Sequence, residues 1–360
     1  MLIVKKILYI ISTLCALALL LTYVSAQIPQ DIFPVLSIPG YLYPLFLIIN
    51  IVFIIVWLFL KPRHVILPLI AVLIRVDYVQ RLVNVSSQTE DSQLRILSYN
   101  ACNFLYKTNY NDAQAIGELQ DSILHYIASK NADIVCFQDC DLNMNWAKVF
   151  HRYMTDSLDY AYFYCYDMKK HYMHDCAVYS KYPITDQGSI LPESERPYSY
   201  IFADVKTPTQ KVRIYNVHLS SYLMTEREKN DYKQIIHGKV SEKASKNIVS
   251  KIKSANRIRA GQIKELLPAM TNNQMPVIVC GDFNDHPFSN TYKKFTNEYS
   301  DSFVTKGNGI GRSYNGIFPA YRIDYILYKK SRLECNSYSS EKIDFSDHYP
   351  VFATFNFKME

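Results

Sequence analysis

Hydrophobic and polar positions change rhythm near residue 85. Before that point the chain is mostly Leu, Ile, Val and aromatic; after it, short β-branched runs alternate with polar loops and amphipathic stretches. Three apolar stretches precede the change, at residues 7–24, 43–60 and 65–74. At about 1.5 Å per residue, the first two can cross a hydrocarbon core of roughly 30 Å. The third lies between His64 and Arg75 and contains Pro68. It crosses only if its ends snorkel or it continues into residues 76–79. Lys5 and Lys6 before the first stretch and Val24-Ser25-Ala26 behind it also fit a cleaved signal peptide. The organisation expected is a membrane region with two or three transmembrane helices over residues 1–85, then one further domain over residues 86–360.

In that further domain, runs at 94–98, 134–137, 176–180, 200–205, 212–217, 277–279, 325–327 and 351–355 read as strands. Residues 113–128 put Ile116, Leu119, Ile123 and Ile127 on one helical face. Residues 241–267 repeat Ile248, Ile252, Ala255, Ile258 and Ile263 at helical spacing, which predicts a long amphipathic helix or a helix pair. Many strands with few long helices predict an α/β fold of two sheets packed face to face with helices outside. Roughly 275 residues suffice to bury such a core.

Charge sharpens the division. Lys5 and Lys6 precede the first apolar stretch, residues 27–40 carry no Lys or Arg, and Lys61 and Arg63 follow the second. Positive residues stay on the cytoplasmic side, so the N-terminus and the loop near residue 62 are expected there. Three crossings, the favoured count, put the domain outside; two put it in the cytoplasm. The domain is too near neutral for an obvious nucleic-acid binder. Residues 226–264 nevertheless hold eleven Lys/Arg against four Asp/Glu, a basic arm that is either a solvated helix face or a contact for phosphate or anionic lipid. Seven cysteines follow residue 85 without CxxC or zinc spacing; Cys136 and Cys280, inside apolar runs, read as small buried hydrophobes.

The chemistry gathers where strands end. Leu97-Ser98-Tyr99-Asn100, residues 133–139 ending Gln138-Asp139, Tyr215-Asn216-Val217-His218, Gly281-Asp282-Phe283-Asn284, Arg322-Ile323-Asp324 and Ser346-Asp347-His348-Tyr349-Pro350 each set a polar group beside an apolar run. Hydrolysis of a phosphate ester needs an activated water, neutralised phosphoryl charge and help for the leaving oxygen. Asn100 and Asp139 are hard oxygen donors suited to Mg²⁺. His348 is the candidate general base, with Asp324 fixing its tautomer. Asp282 and Asn284, two apart, face one side and can orient water and phosphate; His218 can hydrogen-bond or protonate the phosphoryl group. The blander readings are a turn residue for Asn100, a turn cap for Asp282 and Asn284, and a satisfied core histidine for His218. His171 and His174 read as loop residues. Residues 306–312 are glycine-rich but lack the Gly-Lys-Ser/Thr ending of a nucleotide-phosphate loop.

From about Gln93 to Phe357, these six segments in this order resemble the endonuclease/exonuclease/phosphatase (DNase I-like) superfamily, in a membrane-anchored bacterial layout. The resemblance implies a four-layer α/β/β/α sandwich, Asn100 and the acid at 139 on Mg²⁺, and Asp347 near the metal. It implies a His348–Asp324 base pair, Asp282 and Asn284 on nucleophile and phosphate, and His218 on the phosphate. One departure stands out: Asp139 occupies the place where the family usually has Glu, one methylene longer. A shifted metal, an intervening water, a preference for Mn²⁺, or substitution by Asp141 would each accommodate it. The activity implied is metal-dependent hydrolysis of a phosphodiester, nuclease-like or phospholipase-C-like, or of a phosphomonoester. Substrates span nucleic acid, phospholipid and small phosphoesters; the N-terminal helices imply a lipid bilayer as partner, and no protein partner is inferred. The location implied is a bacterial inner membrane with the domain on the outer, periplasmic side. The alternative is a catalytically inactive domain acting as a membrane-bound scaffold.

Overall fold

Period-two alternation, with one face turned to each neighbouring layer, builds two sheets. The computed structural model describes every residue except 1, 141, 143–144, 166–175, 191–199, 223–224, 226, 229, 231–233, 235–238, 240, 272, 317–321 and 359–360. Asp141, His171 and His174 lie outside the described residues. The chain divides into two units: Met1–Val83 with Tyr222–Gly261 and Asp285–Lys294, and Asn84–Ser221 with Gln262–Asn284 and Phe295–Glu360. A break falls at 83/84, close to the composition change, but two stretches from beyond residue 85 group with the N-terminal part.

In the second unit the strands of the two large sheets are β1 (Leu94–Asn100), β2 (Ile134–Gln138), β3 (Tyr162–Cys165), β4 (Ala177–Ser180), β5 (Ile184–Ser189), β6 (Tyr200–Lys206), β7 (Lys211–His218), β8 (Val277–Asp282), β9 (Ser300–Asp301), β10 (Asp324–Tyr328), β11 (Leu333–Ser340) and β12 (Val351–Phe357). They form two six-stranded sheets, in the orders β11-β12-β1-β2-β4-β3 and β9-β10-β8-β7-β6-β5. Alternate residues Ile96, Ile134, Cys136 and Val178 of the first sheet meet Ile201, Ile214, Ile278, Cys280 and Ile326 of the second in one buried cluster. The intervening residues Leu97, Val135, Phe137 and Tyr179 pack with Ile123 and Ile127 of the helix Ala113–Lys130 and Phe150 and Met154 of the helix Asn145–Asp156. Cys136 and Cys280 are buried free thiols within that inter-sheet core.

A polar tie crosses the two sheets at their strand ends. Gln138 Nε2 donates to Ser98 Oγ at 3.1 Å and to Asn216 Oδ1 at 2.7 Å. Asn216 Nδ2 in turn donates to the carbonyls of Phe137 and Ala177. Both side chains are fully buried, and these bonds satisfy both amide nitrogens.

The first unit contains helices α1 (Leu2–Ser25), α2 (Tyr43–Leu60), α3 (Ile66–Leu73) and α4 (Val76–Leu82). Two of these are long and apolar enough to cross a membrane, over Ile3–Ser25 and Tyr43–Leu60; the third apolar stretch, Pro62–Leu73, is shorter. Tyr9, Trp57 and His64 cluster at one end of the bundle, with ring centroids 4.4 to 6.3 Å apart. Tyr23, Tyr43 and Tyr78 cluster at the other, and Tyr23 donates its hydroxyl to Ala71 O. The chain therefore leaves α4 at the end that carries the α1–α2 connection.

That connection explains why later segments join this unit. Gln30 Nε2 donates to Asp285 Oδ2, Thr291 to Gln30 Oε1, Asn290 to Ala26 O, and Asn256 to Pro34 O and Ser37 Oγ. Asn256 and Arg259 sit on a single helix, Glu242–Thr271, which resolves the choice between one helix and two. Arg259 is fully buried, 3.6 Å from the equally buried Asp285. Burial alone would raise the Asp285 carboxyl, but Arg259 and His286 hold it below its ordinary range. Removing one member of a buried pair leaves an uncompensated charge, so Arg259→Ala is expected to destabilise this unit by about 3–5 kcal/mol. Thermal unfolding of the full chain checks this; an unchanged midpoint would remove the pair from the framework.

Candidate functional site

Register delivers the first three groups. β7 pairs in parallel with β8, setting His218 opposite Asp282, and β8 pairs antiparallel with β10, setting Asp282 opposite Asp324. Three polar side chains thus stand abreast at one end of one sheet. Such close strands require Gly281: its φ is +133°, and a Cβ there would lie 1.9 Å from Val217 O. Gly281→Ala is expected to cost about 3 kcal/mol or more, because backbone cannot yield as a flexible side chain can. Denaturant unfolding reads this directly; tolerance of the methyl group would mean β7 and β8 can separate.

The other sheet supplies Asn100 and Asp139. β1 and β2 run parallel, with Asn100 opposite Gln138, so Asp139 follows one residue past the strand. Asp139 and Asn284 both take left-handed backbone, at φ +45° and +51°, a conformation that Asn and Asp adopt more readily than other residues with a Cβ. The segment Ser346-Asp347-His348 then closes over the strand ends. Ser346 Oγ donates to Asn100 O at 2.8 Å and accepts from His348 N at 3.1 Å.

Everything converges on one carboxylate. Asp282 Oδ2 accepts from Asn100 Nδ2 and from Asn284 Nδ2, each at 3.1 Å, while Oδ1 accepts from Asn284 N at 2.8 Å. The Nε2 atoms of His218 and His348 each stand 3.7 Å from that same Oδ2. That separation is too long for a direct hydrogen bond and is an ion-pair distance, so each ring edge faces the carboxylate without being bonded to it. On the far side of each ring, His348 Nδ1 meets both oxygens of Asp324, at 3.0 and 3.1 Å. His218 Nδ1 lies 3.7 Å from Asp139 Oδ1.

Electrostatics follow from this crowding. Burial pushes the Asp282 carboxyl up, and Asp324 adds to it against the opposing histidines, to about 6. Burial would lower His348, but Asp324 and Asp282 raise it instead, to about 10. The pair titrates as a unit, holding its proton on the imidazole and its negative charge on the carboxylate near neutrality.

Asn100, His218, Asp282, Asn284, Asp324 and His348 are all buried and linked through Asp282 or its neighbour. Asp139 reaches the group through His218, with its side chain 35% exposed, which leaves it accessible from outside. Asp347 follows Ser346, which is bonded to the end of β1. Donor atoms of Asp282, Asp324 and His348 lie within 4.8 Å of one another, a cluster also able to hold a metal ion. The direct His348–Asp324 bond fixes the orientation of the imidazole. Asn100, Asp139 and Asp347 offer only oxygen donors, the chemistry of a hard cation, so they fit the Mg²⁺ expected there.

Sequence reading missed the supports. Ser313 Oγ accepts from the backbone N–H groups of Ile323 and Asp324 at 2.9 Å. The Tyr314 ring packs edge-on to His348 with centroids 5.0 Å apart, and the two residues form a β-bridge. Their one signal was their position after the glycine-rich 306–311 segment, which matches no phosphate loop.

Comparison with known proteins bears on the family and the fold. The Endonuclease/Exonuclease/phosphatase family model matches residues 97–348, and a model for a domain of unknown function, DUF8431, matches residues 5–82. No curated protein matches the chain. Among solved structures, the catalytic domain of human Nocturnin with bound sulfate is similar at 17% identity and TM-score 0.51, over 75% of this chain and 96% of that one. An endonuclease/exonuclease/phosphatase from Beutenbergia cavernae is similar at 14% identity and TM-score 0.51, over 74% and 72%. A functionally unknown conserved protein from Enterococcus faecalis follows at 16% identity and TM-score 0.50, over 74% and 100%. At such identities these likenesses show the α/β fold of two sheets between helices.

Proposed function

We propose, from the premise that the chain belongs to the endonuclease/exonuclease/phosphatase family of phosphoester hydrolases, that it is a membrane-anchored, metal-dependent enzyme acting by direct attack of water on phosphorus. The observation that carries this is the convergence of two amides and two imidazoles on Asp282 Oδ2. Asp282 and Asn284 hold the attacking water. As its oxygen bonds to phosphorus and the ester bond opens, its proton passes to the Asp282–His348 pair, with Asp324 fixing the imidazole. His218 donates to a phosphoryl oxygen and neutralises charge that grows in the transition state. Asn100, Asp139 and Asp347 would hold Mg²⁺, or Mn²⁺, which polarises the phosphoryl oxygen and steadies the leaving group.

The anchor reading is supported by the outward apolar residues of α1 and α2, among them Ile10, Leu14, Leu17, Ile48, Ile55 and Phe59. Lys5, Lys6, Lys61 and Arg63 lie toward one end of this bundle, whereas the chain exits at the other, so the hydrolase domain is assigned to the outer, periplasmic side. Membrane attachment tilts the substrate toward a phospholipid or small phosphoester, with nucleic acid as the competing class. Full-length protein assayed on phospholipid vesicles, a small phosphomonoester and single-stranded DNA tests this. Release of product from lipid or monoester supports the tilt; cleavage of DNA alone, lost steeply with salt, reverses it.

A further inference from the structure

Two features of the first unit have no role in hydrolysis. The α1–α2 connection, residues 26–42, exposes Ile32, Phe33, Val35, Leu36 and Leu42, between 38% and 61% each. Yet the connection is anchored, through Gln30, Pro34 and Ser37, to Asp285 and Asn256. An ordered segment that leaves apolar side chains in water forgoes the stabilisation their burial would supply. The helix Glu242–Thr271 forms the other feature. Over its first five turns Lys243, Lys246, Lys253 and Arg257 recur at offsets of three, seven and four residues, which place them on one stripe. Ala244, Ile248, Ile252, Ala255 and Arg259 are buried on the opposite side, with Asn256 buried at the border of that face. Between 242 and 261 the only acid is Glu242, which pairs with Lys246 at 2.6 Å.

We infer that these two features form one membrane-interface surface for anionic phospholipid. This rests on the reading that α1 and α2 span a bilayer. The connection joins two apolar helices at the level where they leave the hydrocarbon, so its exposed Ile32 and Phe33 belong at the boundary of acyl chains and headgroups. Asn256, adjacent to Arg257 and at the border between the buried face and the basic stripe, bonds that connection, which sets the stripe beside it in the headgroup zone. Each Lys or Arg near an anionic leaflet is worth about 1 kcal/mol and acts over about one Debye length. Lipid fits better than nucleic acid because the stripe is fixed to the spanning bundle itself.

Full-length protein in nanodiscs of phosphatidylcholine mixed equally with phosphatidylglycerol, then released for native mass spectrometry, tests this. Wild type is expected to retain phosphatidylglycerol over phosphatidylcholine by at least about fivefold. K243E/K246E/K253E/R257E is expected to lose that preference, and I32S/F33S to retain less of both lipids. Equal retention of the two lipids by wild type overturns the inference whether or not the variants fold. Preferential binding of an oligonucleotide alongside equal lipid retention reassigns the stripe to nucleic acid. Failure of wild type to enter nanodiscs at all contradicts the membrane reading instead, and the inference falls with it.

Discussion

Asp282→Asn is expected to lower kcat for phosphoester hydrolysis by about 10²–10⁴-fold while leaving the fold intact. The change is isosteric, so the inter-sheet core that surrounds Cys280 is untouched. What changes is the charge at the point of convergence. Asn100, Asn284, His218 and His348 all direct nitrogens at Asp282 Oδ2, and an amide there accepts a proton far less readily than a carboxylate. His348, raised to about 10 by Asp324 and Asp282, also loses one of the two charges that hold its proton. The effect should fall on kcat more than on KM, because the lost interaction serves proton transfer. His348→Ala should cost a similar factor, and the double variant little more, since both act on the same proton. Steady-state kinetics with a circular-dichroism control reads all three; a D282N enzyme within tenfold of wild type would move the proton acceptor elsewhere.

Asp139→Ala is expected to abolish metal-dependent turnover, by about 10²–10³-fold, whereas Asp139→Glu retains or raises it. The structure sharpens the reason. Asp139 is the partly exposed carboxylate of the group, turned by left-handed backbone toward His218. It stands where family resemblance calls for Glu, so in the proposed metal site the longer side chain would restore reach to a cation shared with Asn100. Losing that ligand forfeits several kcal/mol of charge stabilisation. Isothermal titration with Mg²⁺ and Mn²⁺ alongside kinetics separates the two effects. Unchanged metal affinity in the Ala variant would remove Asp139 from the metal site.

Much of this was legible because buried strands are dense in signal. β1, β2, β7, β8, β10 and β12 are central or flanked on both faces, and their β-branched runs announced them. The four sheet edges were not foreseen. Ile-Thr-Asp-Gln-Gly-Ser for β5 and Leu-Glu-Cys-Asn-Ser-Tyr-Ser-Ser for β11 read as polar loops, because an edge strand carries polar residues that discourage further pairing. β3, four residues long, and β9, only two, gave too short a pattern. The candidate site residues came from motif order, while Ser313 and Tyr314 did not, since a supporting hydroxyl or ring has no spacing of its own. Grouping of Asp285–Lys294 with the N-terminal unit was equally invisible: the Gln30–Asp285 bond spans 255 positions and leaves no local trace.

The central claim is metal-dependent hydrolysis at Asp282, and its most direct measurement uses the full-length protein on bis-p-nitrophenyl phosphate and p-nitrophenyl phosphate, with Mg²⁺, Mn²⁺ or EDTA. The account predicts nitrophenolate release that requires the metal, is lost with EDTA and is lost in D282N, the preferred ester separating diesterase from monoesterase. Release that persists in EDTA, or in D282N with metal, would contradict it. Silence on both esters, joined to absent Mg²⁺ and Mn²⁺ binding by calorimetry, would contradict it as well and favour an inactive membrane-bound scaffold.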